Sequence, residues 1–185
     1  MLRVVILSVL LSLCSPAWAA PTAQVVPTWS GSIEDVGECG WPGDQIALVV
    51  REGSQVLASL ETCSSNGMAT AHVTVSGRNT YVLLYTRDGH GVPYVAVYSE
   101  DLSVYRLAGG ALVLCNRFRI GDAVGESTRW RYAYAAAPST GGGIRVTLRL
   151  RVERYGDNPD FAPELAPTER TRVVEVGATC AAPVS

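Results

Sequence analysis

The chain has 185 residues, 48% of them hydrophobic, with seventeen acids against fifteen bases and a formal charge of −2. That is enough chain for one domain with its own core, and the charge is too balanced for a dedicated nucleic-acid binder. All fifteen bases are arginine, which fits a GC-rich bacterial genome; the absence of lysine excludes Schiff-base chemistry, a lysine general base and a Ser–Lys dyad.

Arg3 precedes an apolar run from Val4 to Leu13 that only Ser8 and Ser12 interrupt. Pro16 ends the run, and Ala17-Trp18-Ala19 puts small residues at both positions that a signal peptidase reads. These features predict a secretory signal peptide over residues 1–19, too short and wrongly flanked to span a membrane. Cleavage near Ala19/Ala20 leaves a periplasmic or secreted protein. Cys14 departs with the signal, and Leu13 before it is not the small residue that a lipoprotein signal requires. No later stretch stays apolar for about 18 residues, so no membrane span is expected.

Residues 20–38 hold few apolar residues in order and read as an extended N-terminal arm. Residues 39–185 read as a single disulfide-bonded β domain. It contains Cys39, Cys63, Cys115 and Cys180, an even set in an exported chain, which implies two bridges. A hairpin centred near Gly53 brings Cys63 close to Gly43, a few residues from Cys39. That favours Cys39–Cys63 and leaves Cys115–Cys180, a bridge tying a central strand to the C-terminal region. A zinc site of four cysteines needs paired C-x2–4-C spacing, which is absent.

From there the chain reads as strand almost throughout. Gln45–Arg51 and Gln55–Glu61 flank Glu52-Gly53-Ser54; Met68–Val75 and Thr80–Thr86 flank Ser76-Gly77-Arg78-Asn79. Arg87–Gly91 reads as a hairpin loop, since Gly89 and Gly91 permit a tight connection. Val92–Ser99 and Leu102–Leu107 follow as two strands around Glu100-Asp101, taken as turn formers. Then come Ala111–Ile120, Thr128–Ala137, Ile144–Arg154 and Thr168–Thr179. Their Val, Thr and Tyr content suits strands. Gly109-Gly110 marks a two-residue hairpin that places Val104 opposite Cys115. Ile144, Val146, Leu148, Leu150 and Val152 alternate with polar residues, mostly arginine, which predicts one buried and one wet face. Trp130, Tyr132 and Tyr134 repeat that pattern. The expected fold is therefore all-β: a single antiparallel β-sandwich or barrel-like domain of about 8–10 strands with no substantial helix after the signal peptide.

Chemistry-bearing motifs are sparse. There is no G-x-S-x-G elbow and no phosphate-cradling G-x-x-x-x-G-K. Paired cysteines offer no nucleophile. His72 has Thr70 and Thr74 as neighbours in register and is expected on a solvent face. Arg87, Asp88 and His90 form the most distinctive polar loop, suited to recognition. Asp157 and Phe161 stand out in the long Tyr155–Pro167 segment, an aromatic anchor with a polar rim. No metal site and no cofactor is nominated. The stretch Ser76-Gly77-Arg78-Asn79-Thr80-Tyr81 resembles the Ser-Gly-x-x-Tyr motif of bacterial periplasmic lysozyme inhibitors with one residue more. The extra residue turns Tyr81 to the opposite face of a strand, so the resemblance extends to the class of loop-presenting inhibitor and not to membership.

The functional expectation is an exported, bacterial periplasmic, non-enzymatic binding protein. It would be an inhibitor or immunity-type protein that engages another protein through surface loops. Nucleic acid is not an expected partner: eleven arginines against eight acids in residues 105–185 read as a salt-laced sheet surface. Two alternatives stand beside it. One is a small exported hydrolase with carboxylates scattered in sequence. The other is a carbohydrate-binding or structural envelope module using Trp130, Tyr132 and Tyr134.

Overall fold

The computed structural model describes residues 19–28, 39, 44–65, 68–92, 95–124, 127–151 and 169–180. Ten antiparallel strands run through them: β1 (Thr22–Pro27), β2 (Gln45–Glu52), β3 (Gln55–Cys63), β4 (Ala69–Ser76), β5 (Asn79–Val92), β6 (Val95–Ala108), β7 (Ala111–Val124), β8 (Ser127–Pro138), β9 (Ile144–Arg151) and β10 (Thr171–Val176). They form a three-stranded sheet, β1-β2-β3, and a seven-stranded sheet, β10-β9-β8-β7-β6-β5-β4. The larger sheet does not close into a barrel, so of the two expected architectures the sandwich is the one adopted. The predicted signal peptide lies outside the described residues up to position 18. Part of the predicted extended arm is β1, paired along its length with β2.

The larger sheet rolls up on itself. β4 approaches β8 although three strands lie between them, and the rings of His72 and Tyr134 meet edge to face with centroids 6.3 Å apart. Inside the roll, Tyr81, Leu83, Leu102, Val104, Phe118, Ile120, Trp130, Tyr132, Ile144, Val146 and Leu148 make the main core. On the opposite face of β5 and β6, Val82, Leu84 and Tyr105 pack against Leu48 and Val50 of the smaller sheet. Tyr81, Val82, Leu83 and Leu84 are consequently all buried. An unbroken apolar run is what a strand covered on both sides requires. β9 shows the other regime: Ile144, Val146 and Leu148 are buried while Arg145 and Arg149 are exposed, as the period of two predicts.

Gly109 and Gly110 take φ of 59° and 80° between the paired residues Ala108 and Ala111. Positive φ at both central positions is the twist that a two-residue hairpin favours. The register then departs from expectation. Val104 faces Asn116 and Tyr105 faces Leu114, which leaves Cys115 as the extra residue of a β-bulge. Leu112 and Leu114 pack toward the smaller sheet, whereas Phe118 and Ile120 enter the main core. The bulge is what changes the face.

Residues 177–180 pack against the end of the roll. The Tyr81 hydroxyl lies 3.0 Å from the Gly142 carbonyl and 3.1 Å from that of Gly177. Arg106 donates to the Ala178 carbonyl, and Cys180 is bonded to Cys115. The second bridge, Cys39–Cys63, sits where β2 and β3 pair Gln45 with Cys63. Both pairings are those the spacing favoured, and they leave no four-cysteine metal site.

The two bridges close loops of different length, with sequence separations of 65 for Cys115–Cys180 and 24 for Cys39–Cys63. By chain entropy the first is worth about 4 kcal/mol and the second about 3.5 kcal/mol. In urea unfolding, the Cys115→Ser/Cys180→Ser double variant should therefore lose more stability than Cys39→Ser/Cys63→Ser.

Candidate functional site

The stretch expected to form a loop, Arg87–Gly91, is part of β5. It continues into a hairpin with β6 that pairs Arg87 with Glu100, Asp88 with Ser99 and Gly89 with Tyr98. β4 stops pairing at Ala69, opposite Thr86, so β5 runs on without that neighbour. Two serines take over the edge. Ser64 Oγ accepts the Arg87 N–H at 2.9 Å and donates to the Met68 carbonyl at 2.7 Å; Ser65 Oγ accepts the Gly89 N–H at 2.5 Å. Both serines are buried. Backbone groups that would otherwise lack partners are thus satisfied, which keeps the segment extended. The Tyr98 ring covers Gly89, where any Cβ would strike it.

Glu100-Asp101, taken from sequence as a turn, lies within β6 for two electrostatic reasons. Asp101 accepts from Arg119 Nε at 2.8 Å across the β6–β7 pair. Glu100 is fully buried, and Arg131 holds both its oxygens: Nε to Oε2 at 2.6 Å and Nη2 to Oε1 at 2.5 Å. The register explains how the two meet. Arg87, Glu100, Gly121 and Arg131 lie opposite one another in turn on β5, β6, β7 and β8. At Gly121 a Cβ would collide with the Glu100 carboxylate, so only glycine lets that side chain reach over β7 to Arg131. A second bulge, with Ile120 as the extra residue, brings Gly121 into place. Tyr85 stands near this pair; burial first, then the Glu100 carboxylate, pushes its pKa up to about 12.

Arg87 is held differently. Its guanidinium carbon stands 3.8 Å from the centroid of the Tyr98 ring, and Nη1 meets Met68 Sδ at 3.6 Å. Its Nε is buried without a hydrogen-bond partner. Met68 beside it is 47% exposed. Asp88 is exposed, and the backbone of His90 continues β5 with its side chain outside the described set. Asp157 and Phe161 also lie outside the described residues, so the structure brings together Arg87 and Asp88 of the five expected site residues as strand neighbours.

Sequence reasoning missed Met68, Tyr85, Tyr98, Glu100, Gly121 and Arg131. One cue was present: the runs either side of Glu100-Asp101 are separated by those two residues alone, with no Gly, Pro or Asn to turn the chain. The aromatic row on β8 is core. Trp130 and Tyr132 are buried, and half-buried Tyr134 packs against the same cluster. His72 is exposed on β4, as expected.

The molecule is thus a disulfide-bonded antiparallel sandwich with a charged row across the distal half of its β5–β6 hairpin. No protein-family model, no curated protein and no solved structure matches the chain.

Two measurements probe the row. Arg131→Met strands a fully buried carboxylate and should cost about 3–5 kcal/mol. Glu100→Gln should cost less, because the Arg131 side chain is 36% exposed and can turn to water. Equal losses in urea unfolding would contradict this asymmetry. The second concerns pH. Because the Tyr85 pKa is raised from 10.0 to about 12, its contribution to stability is complete below pH 10 and is lost as pH climbs from 10 to 12. Tyr85→Phe should therefore show a shallower fall in stability over that window than the unmodified protein.

Proposed function

We propose that the chain is an exported, non-enzymatic binding protein, an inhibitor or immunity-type protein of the bacterial envelope. It engages another protein through the β5–β6 hairpin. The observation that carries this reading is the Met68–Arg87–Tyr98 cluster, a half-exposed methionine beside an arginine stacked on a tyrosine. Arginine, methionine and aromatic residues are the types concentrated at interface centres, with arginine and tyrosine prominent among hot spots. A rigid base supports the cluster, since the Glu100–Arg131 pair ties β6 to β8 beneath it. Glu100 and Arg131 are engaged with each other, which suits a structural anchor better than a reacting centre. Two disulfides suit an oxidising compartment, in keeping with export after removal of residues 1–19.

The test is capture of partners from periplasmic extract on the immobilised protein. Tyr98→Ala should lower recovery of the specific partner by about tenfold or more, the usual effect of truncating a hot-spot side chain. Arg149→Ala, at an exposed site on β9, should leave it unchanged. Equal recovery by Tyr98→Ala and the unmodified protein would remove this hairpin from the function.

A further inference from the structure

We infer that Arg87 is a receptor for a carboxylate, supplied by an aspartate or glutamate side chain of the bound protein. The inference rests on the binding role proposed above and names the chemistry of its central contact. The row across β5–β8 holds two guanidinium groups and one carboxylate. Arg131 takes both oxygens of that carboxylate. Arg87 faces Glu100 in register, yet its own contacts are the Tyr98 ring and a thioether sulfur.

These contacts leave a cation only weakly compensated. A thioether is a poor acceptor, and a cation–π contact compensates a guanidinium less than a charge-assisted bond to a carboxylate does. The buried Nε adds an unused donor on the same group. A guanidinium that is partly withdrawn from water, with no carboxylate of its own among the described residues, gains most from a charge-assisted bond, and its planar fork fits a carboxylate. Tyr98 and Met68 also hold it in place, so little side-chain freedom remains to be lost on binding. The Met68 side chain, half-exposed beside it, provides an apolar shoulder for the stem of an incoming acidic residue. Asp88 does not compete for Arg87 on that face, because successive strand residues point to opposite faces.

The experiment follows the Arg87 Nε–Hε resonance by NMR while the full disulfide-bonded protein is titrated with the blocked peptide acetyl-Gly-Asp-Gly-amide. The same titration with acetyl-Gly-Asn-Gly-amide is the neutral control, and Arg87→Gln assigns the resonance. The expected result is a saturable shift at Arg87 with the aspartyl peptide and an affinity at least about tenfold weaker with the asparaginyl one. An Arg87 resonance that moves no more than those of exposed Arg145 and Arg149, or that responds equally to both peptides, overturns the inference. Loss of partner capture by Tyr98→Ala without any selective response at Arg87 would sink the carboxylate receptor and leave the binding role standing. A selective Arg87 response in a protein that captures no partner would do the reverse.

Discussion

The Glu100 carboxylate is the constraint around which the far end of the large sheet is arranged. An ionised group with no solvent exposure is tolerated only when its oxygens are bonded, and Arg131 bonds both. That requirement reaches across β7, where glycine must stand at position 121 and the chain must bulge at Ile120. The carboxylate also raises the pKa of Tyr85, after the larger effect of burial. Arg87, Glu100, Gly121 and Arg131 thus stand in one register across four strands. The pair need not add net stability over an apolar substitute; its consequence is a single permitted alignment of β6, β7 and β8.

The long hairpin changes character along its length. Between Tyr81 and Leu84 β5 is buried on both faces, by the core of the roll on one side and the smaller sheet on the other. From Tyr85 onward polar groups take over, and serine hydroxyls replace β4 as partners of the backbone. The proximal half is an anchor, and the distal half carries half-buried Arg87 and Tyr98 beside Met68, which precedes β4. Binding residues are commonly displayed on loops over a rigid scaffold. In the binding role proposed for this hairpin the display element is itself strand, which would limit the entropy that ordering on binding costs.

What was legible in the sequence was whatever depends on neighbours one or two positions apart, or on chain length between cysteines. The alternation from Ile144 to Leu150 specified a half-buried strand because side chains of a strand point alternately to its two faces. Gly109-Gly110 specified a hairpin because few other residues accept positive φ twice in succession. The Cys39–Cys63 pairing followed from the hairpin around Gly53, and Cys115–Cys180 followed by exclusion. The all-β class came from the same local signals repeated along the chain.

The candidate site was legible only in part, since Arg87 and Asp88 stood out by composition but were placed in a loop. Their strand conformation depends on Ser64 and Ser65, more than twenty positions away in the chain. Glu100 looked like a turn former because its partner lies 31 residues on. The bulge at Cys115 and the inward placement of Tyr81 likewise depend on contacts with strands far along the chain. Local propensity and periodicity therefore determined which segments are strands and which cysteines pair. Tertiary structure decided which charges are buried, where registers slip and which side chains share a face, because the electrostatic and packing energies that settle those questions arise only between residues distant in sequence.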